Sequence, residues 1–195
     1  MATLITPTTE LEAVNECLAN IGQSPVSSIS GDIGVDAELA LKLVRSINRE
    51  LQVKGWHWNT EYDYPLTPNG DGDIILPTNT LWIDTGGKDA PKDYIQRGSR
   101  LYNKEDRTYT FTGEVRVTIT LGFPFDELPE SARRYIAMRA ARIFQERTEG
   151  TSGDEDMMME QRAYADLMAD NLRMADHNLF EDNISTFEIL RRRVY

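Results

Sequence analysis

The sequence predicts an α+β protein: a four-helix cluster formed by N- and C-terminal helices, an inserted antiparallel β domain and an extended C-terminal tail. Three observations carry this. Residues from Val35 onward keep an apolar face at helical spacing until Gly55. From Trp56 to Gly122, prolines and glycine turns cut the chain into short runs of strand character. Helical spacing returns after Pro124. The expected division is 1–55 with 126–177 as a helical domain, 56–125 as a β-rich insert and 178–195 as a tail.

In chain order, residues 1–8 form a short arm, and Thr9-Glu10-Leu11-Glu12 is a capping-box pattern. Leu11, Val14, Leu18 and Ile21 follow at helical spacing to a stop at Gly22. Gln23 to Gly31 has no periodicity and reads as a linker. In the long second helix Leu39, Leu43, Ile47 and Leu51 fall four apart, with Ala40 and Val44 beside them, and Lys42, Arg45, Arg49 and Glu50 off the stripe. Gly55 suits the left-handed conformation that ends a helix. Trp56 and Trp58 follow at once, each large enough to bury roughly 150–250 Å². Gly55, Trp56, Trp58 and Asn59 are the candidate junction between the helical and β parts.

In the insert, Pro65, Pro68, Pro77 and Pro91 exclude long helices. Asn69-Gly70-Asp71-Gly72-Asp73 and Thr85-Gly86-Gly87-Lys88 are turn clusters. Strands are expected at 73–76, 81–84, 93–96, 100–103, 108–111 and, with the cleanest alternation, 114–121. Together they suggest an antiparallel sheet or small barrel. Beyond it, Pro129 opens a third helix with Tyr135, Ile136, Ala140, Ile143 and Phe144 on its apolar face, and Gly150 ends it. Asp154, Glu155 and Asp156 open a fourth, whose stripe is Met158, Ala165, Met168, Leu172 and Ala175. The remainder, from Asn178, carries Leu179, Phe180, Ile184, Phe187 and Leu190 and ends in Arg191, Arg192 and Arg193 before Val194-Tyr195. Apolar surface without a fold of its own docks on something, either its own domain or a neighbour.

Composition narrows the function. A 195-residue chain with 40% hydrophobic residues can hold a sizeable core, yet no apolar run approaches the roughly 20 residues of a membrane span. The N-terminal residues lack the pattern of a signal peptide. One cysteine, Cys17, excludes an internal disulfide and fits a reducing compartment; on its helix it reads as inert filler. The net charge of −11 argues against a nucleic-acid clamp, which needs cations on phosphates. It suits a wall that surrounds DNA without holding it, and equally simple solubility.

The sequence offers little to catalysis. His57 and His177 are far apart and belong to no ligand cluster, so structural or surface roles outweigh metal binding. The acids of Asn69–Asp73 lack the twelfth-position glutamate of a calcium loop. No nucleophile elbow, phosphate loop or dinucleotide fingerprint is present. With 32 acids in the chain, some carboxylate pair will fall at any chosen separation. Met157-Met158-Met159 reads as helix filler.

Leu11-Glu12-Ala13-Val14-Asn15, Leu18 to Val26, and Ile47-Asn48-Arg49-Glu50-Leu51-Gln52 running into Gly55-Trp56-His57-Trp58-Asn59 resemble the opening of the tail tubular protein A family of short-tailed, podovirus-type bacteriophages. The likeness continues through Leu128-Pro129-Glu130, Arg134-Tyr135, Ala140 to Phe144 and the acidic start of the fourth helix. It implies a structural virion protein made in the host cytoplasm: a tail adaptor ring, twelvefold, joining the capsid portal protein to the tail nozzle (tail tubular protein B), supporting the tail fibre and passing DNA during ejection. It carries over no catalytic residue, cofactor or metal ligand. The expected partner contacts are Leu179, Phe180, Ile184, Phe187, Leu190 and Arg191 to Arg193 in the tail, and Asn69, Asp71, Asp73, Gly86 and Gly87 in the β loops. The rival class is a tail-associated polysaccharide hydrolase, which would need two close acids with separated pKa values.

Overall fold

The computed structural model describes residues 6–85 and 92–179, with side chains described as far as 175. The chain is mixed helix and antiparallel sheet, as expected. Its helices are α1 (Glu10–Asn20), α2 (Val35–Gln52), α3 (Glu130–Glu149) and α4 (Asp154–Leu179). Its strands are β1 (Thr60–Leu66), β2 (Thr80–Thr85), β3 (Tyr94–Arg97), β4 (Arg100–Asn103) and β5 (Val115–Leu121). The described residues divide into two compact units, one within 6–47 and 125–179, the other within 48–124. The dividing line falls within α2.

In the helical unit α3 is the middle helix, packed against both α1 and α4. The capping box forms: Glu12 N donates to Thr9 Oγ1 at 3.2 Å, and Thr9 N donates to the Glu12 carboxylate at 2.7 Å. These bonds hold the Glu12 carboxyl below its ordinary range. Thr8 is fixed as well, donating from N and Oγ1 to Glu130 at 2.7 Å each. Arg133 gathers the entry to α3, donating to the Leu128, Thr8 and Asp126 carbonyls. Pro129 sits one residue ahead of α3, as its N-cap, and Gly150 ends α3 with φ +82°.

Two apolar stripes differ from expectation. In α2, Ala37, Ala40, Leu41, Leu43, Val44, Ile47 and Leu51 are buried, and of the expected stripe Leu39 is exposed. Each four-residue step overshoots a full turn by about 40°. The series from Leu51 back to Leu39 therefore winds out of the buried face. In α4 the stripe taken for core is outermost: Met158, Ala165, Met168 and Leu172 are exposed, and the buried face is Glu160, Ala163 and Leu167.

In the β unit β5 is central, in the antiparallel order β1-β5-β2, and β3 pairs with β4. The expected alternation holds, with Val115, Val117 and Ile119 buried. They join a core with Leu66, Ile74, Leu76, Ile83, Leu101 and Phe111. β1 is a strand the sequence did not reveal. It carries Pro65, and its register shifts between Glu61 and Tyr64, where Asp63 has φ 54°. Residues 73–76 and 108–111 are not strands; only single bridges form there, such as Asp73 with Thr110. Ile74 and Leu76 still enter the core.

Candidate functional site

The best-ordered polar cluster in the β unit is built from the expected junction residues and two that sequence reasoning passed over. The last carbonyls of a helix lack partners within it. Here side chains supply them. The Trp56 indole Nε1 donates to Leu51 O at 2.7 Å, and Asn59 Nδ2 donates to Gln52 O at 3.0 Å. Asn59 Nδ2 also reaches Leu121 O at 3.0 Å, while its Oδ1 accepts from Trp56 N at 2.7 Å. One amide thus ties a helix end, a turn and the last residue of β5.

Gln52 repeats the device. Its Nε2 donates to Phe123 O at 2.9 Å and Asn48 Oδ1 at 2.7 Å, and its Oε1 accepts from Phe123 N at 2.8 Å. Both amides are almost wholly buried, at 1% and 2% exposure. Their own groups and the main chain around them are satisfied, which is the condition for burying them. Gly55 takes φ +72°, and a Cβ there would stand 3.3 Å from Thr60 Oγ1. Trp56 is buried and Trp58 half-buried. The Trp58 indole Nε1, shielded from solvent, has no hydrogen-bond partner among the described residues. No local pattern marked Gln52, because its amide bonds the main chain of Phe123, 71 residues away.

Beside Gly55 lies a groove of about 370 Å³ lined by Val53, Lys54, Thr60, Tyr62, Trp82 and Thr118. Tyr62 and Trp82 are exposed there. The turn at Asn69–Asp73 is closed on itself: Asn69 Oδ1 accepts from Asp71 N at 3.0 Å and Asp73 N at 2.9 Å. Asp73 is paired with Arg100 at 3.0 Å. Asp71 faces solvent, available to a partner. Gly72 has φ +84°, and a Cβ there would come within 2.7 Å of Thr110 Cγ2. Gly86, Gly87 and the tail contacts from Phe180 to Arg193 lie outside the described residues; Leu179 is the last residue of α4.

In the helical unit polar contacts join the packing of α4 on α3. Glu160 accepts from Arg139 Nη1 at 3.0 Å and Arg142 Nε at 2.5 Å. Arg142 also pairs with Glu146 at 2.6 Å, and Ser131 Oγ donates to Asp170 at 2.7 Å. The Glu160 bond raises the Arg142 pKa. The Ser152 and Arg142 bonds lower that of Glu146. Tyr135 and Tyr164 meet with ring centroids 5.2 Å apart. The sequence carried a faint sign of this clamp: two arginines three apart on α3, and Glu160 at helical spacing from Ala163 and Leu167 on α4.

Burial, with Glu16 adding to it, pushes the Cys17 thiol up to about 12, so it stays protonated. The carboxyls shifted by their surroundings, Glu12 and Glu146, move down, opposite to a general acid. Among the described residues no group of three His, Cys, Asp or Glu side chains is placed to hold a metal ion. No helix among them is long and apolar enough to cross a membrane.

Comparison with known proteins agrees with this picture of a chain built for contacts. A family model described as "Tail tubular protein" matches residues 11–177. Tail tubular protein A of Klebsiella phage KP34 is 31% identical over 128 residues, covering 66% of this chain and 67% of that protein.

Proposed function

The chain belongs to the tail tubular protein family, a structural component of bacteriophage tails, and from that premise we propose that it is the subunit of a tail adaptor ring. In this reading twelve copies, the helical part of each a four-helix cluster, close a collar between the capsid portal protein and the tail nozzle. The observation that carries the reading is the family match, which runs from α1 through α4 and so spans both units. The tail from Asn178 to Tyr195 reaches the portal or a neighbouring copy. The β unit meets the nozzle or fibre through Asn69, Asp71, Asp73, Gly86 and Gly87.

Physical features support the same use. A ring is a closed set of identical contacts, so each subunit needs two unlike surfaces. The helical unit exposes apolar side chains on both α2 and α4, and the β unit adds an aromatic patch around Trp82 for an unlike neighbour. The charge of −11 suits a bore through which DNA slides unheld. No reaction or cofactor is assigned.

Mixing the chain with portal protein and measuring the mass of the product tests this. The full chain should add to the portal as a ring, and a chain ending at His177 should fold alike yet attach far more weakly. Normal attachment by the shortened chain would overturn the tail assignment. A mixture in which the full chain never joins the portal would overturn the adaptor.

A further inference from the structure

The exposed face of α4 has the marks of a contact between copies. On the side away from α3, Met158, Ala165, Met168 and Leu172 share one exposed face, with Gln161 and Arg162 between the first two. It is roughly 21 Å long at 1.5 Å per residue. Met158 is 60% exposed and Leu172 58%. Water gains nothing from such a surface, and flexible methionines suit a face that another helix must fill.

A second α4 is a poor occupant. Two of its seven acidic residues, Glu160 and Asp170, bond α3, but the other five still outnumber its two arginines, so α4 on α4 sets acid against acid. The occupant must be apolar along its centre and bring a cation. The helical unit carries such a surface. On α2, Val35, Leu39, Lys42 and Ser46 share one stripe, with Val35 74% and Leu39 51% exposed. Lys42 is held only by Glu38, 3.6 Å away on the surface, and is easily turned to a new partner. Ser46 on one helix and Ala165 on the other are small enough to let the axes approach.

We propose that the outer stripe of α4 in one copy docks on the outer stripe of α2 in the next. The inference rests on the ring proposed above and names the faces that close it. Because the two faces are unlike, the contact repeats head to tail and does not end at a two-fold pair.

Cysteine cross-linking of the full chain in assembled tails tests this, since both sites are exposed and Cys17 is buried and protonated. A bismaleimide of about 10 Å, the spacing of packed helices, is applied to Leu39→Cys, Met168→Cys and the double variant. Expected are monomers from each single variant and, from the double variant, a ladder rising in steps of 22.2 kDa. Adding Lys42→Glu should cut the ladder several-fold. Dimers from Met168→Cys alone would mean a two-fold contact and overturn the proposal. So would bonds to an unlike tail polypeptide, bonds within one chain, or a yield indifferent to Lys42→Glu. Tails that contain the protein yet give no ladder sink the face assignment and spare the adaptor reading; tails that lack the protein sink the adaptor reading itself.

Discussion

The two buried polar clusters, one in each unit, are built on opposite principles. The Asn59 and Gln52 cluster is neutral. It satisfies main-chain groups that the end of α2 and the end of β5 leave open, and it sits almost entirely out of water. The Glu160 cluster is charged and ties side chain to side chain between α3 and α4, with its arginines partly wet. The first fixes the path of the backbone, so an amide lost removes several bonds at once, although Gln52 O keeps the Gly55 N–H. The second adds charged bonds to the packing of Leu167 and of Tyr135 on Tyr164, and part of that attraction is offset by desolvation. Where the chain must turn sharply, it uses neutral amides on the main chain; between α3 and α4 it adds paired charges.

The contrast can be broken from either side. Asn59→Ala should have the largest effect, lowering stability by about 3–4 kcal/mol, because Trp56 N, Gln52 O and Leu121 O all lose a partner. Denaturant unfolding measures it, and a loss below about 1 kcal/mol would mean that water replaces the amide. Glu160→Gln should cost less, about 2 kcal/mol, since Arg139 and Arg142 can turn outward to solvent. An equal or larger loss than for Asn59→Ala would reverse the ranking.

On the other side of α4, Met168→Ala with Leu172→Ala should change the stability of the isolated chain by less than about 0.5 kcal/mol each. A large loss would show that the stripe is covered within the chain. The smallest effect concerns acid. Glu12 has its pKa lowered on folding by the Thr9 bonds, so its contribution is present above the ordinary value of 4.5 and lost as pH falls through the lowered one. In Glu12→Gln the melting temperature should therefore fall less steeply over that acid limb. Matching slopes would mean that the capping box does not hold α1 in solution.

Much of the fold was legible in the letters. The capping box at Thr9, the left-handed Gly55 and the alternation of 115–119 each rest on local physics and appear where expected, although α2 ends at Gln52 and the alternation breaks where Thr120 is buried and Leu121 half-buried. What failed to show was set by tertiary neighbours. β1 hides behind Pro65 and a bulge, and its apolar positions keep no clean alternation until β5 lies beside it. The inner face of α4 was missed because the bulkier apolar residues lie on the outside, while Glu160 and Ala163 face α3. Of the site, the turn around Gly55, Trp56 and Asn59 could be found by pattern. Gln52 and Phe123 could not, since their bonds join residues 71 apart in sequence.

A reconstruction of the virion tail tests the central claim most directly. The account predicts that the collar between portal and nozzle is a closed ring of this chain. A collar filled by another polypeptide, with this chain elsewhere or missing, would contradict it.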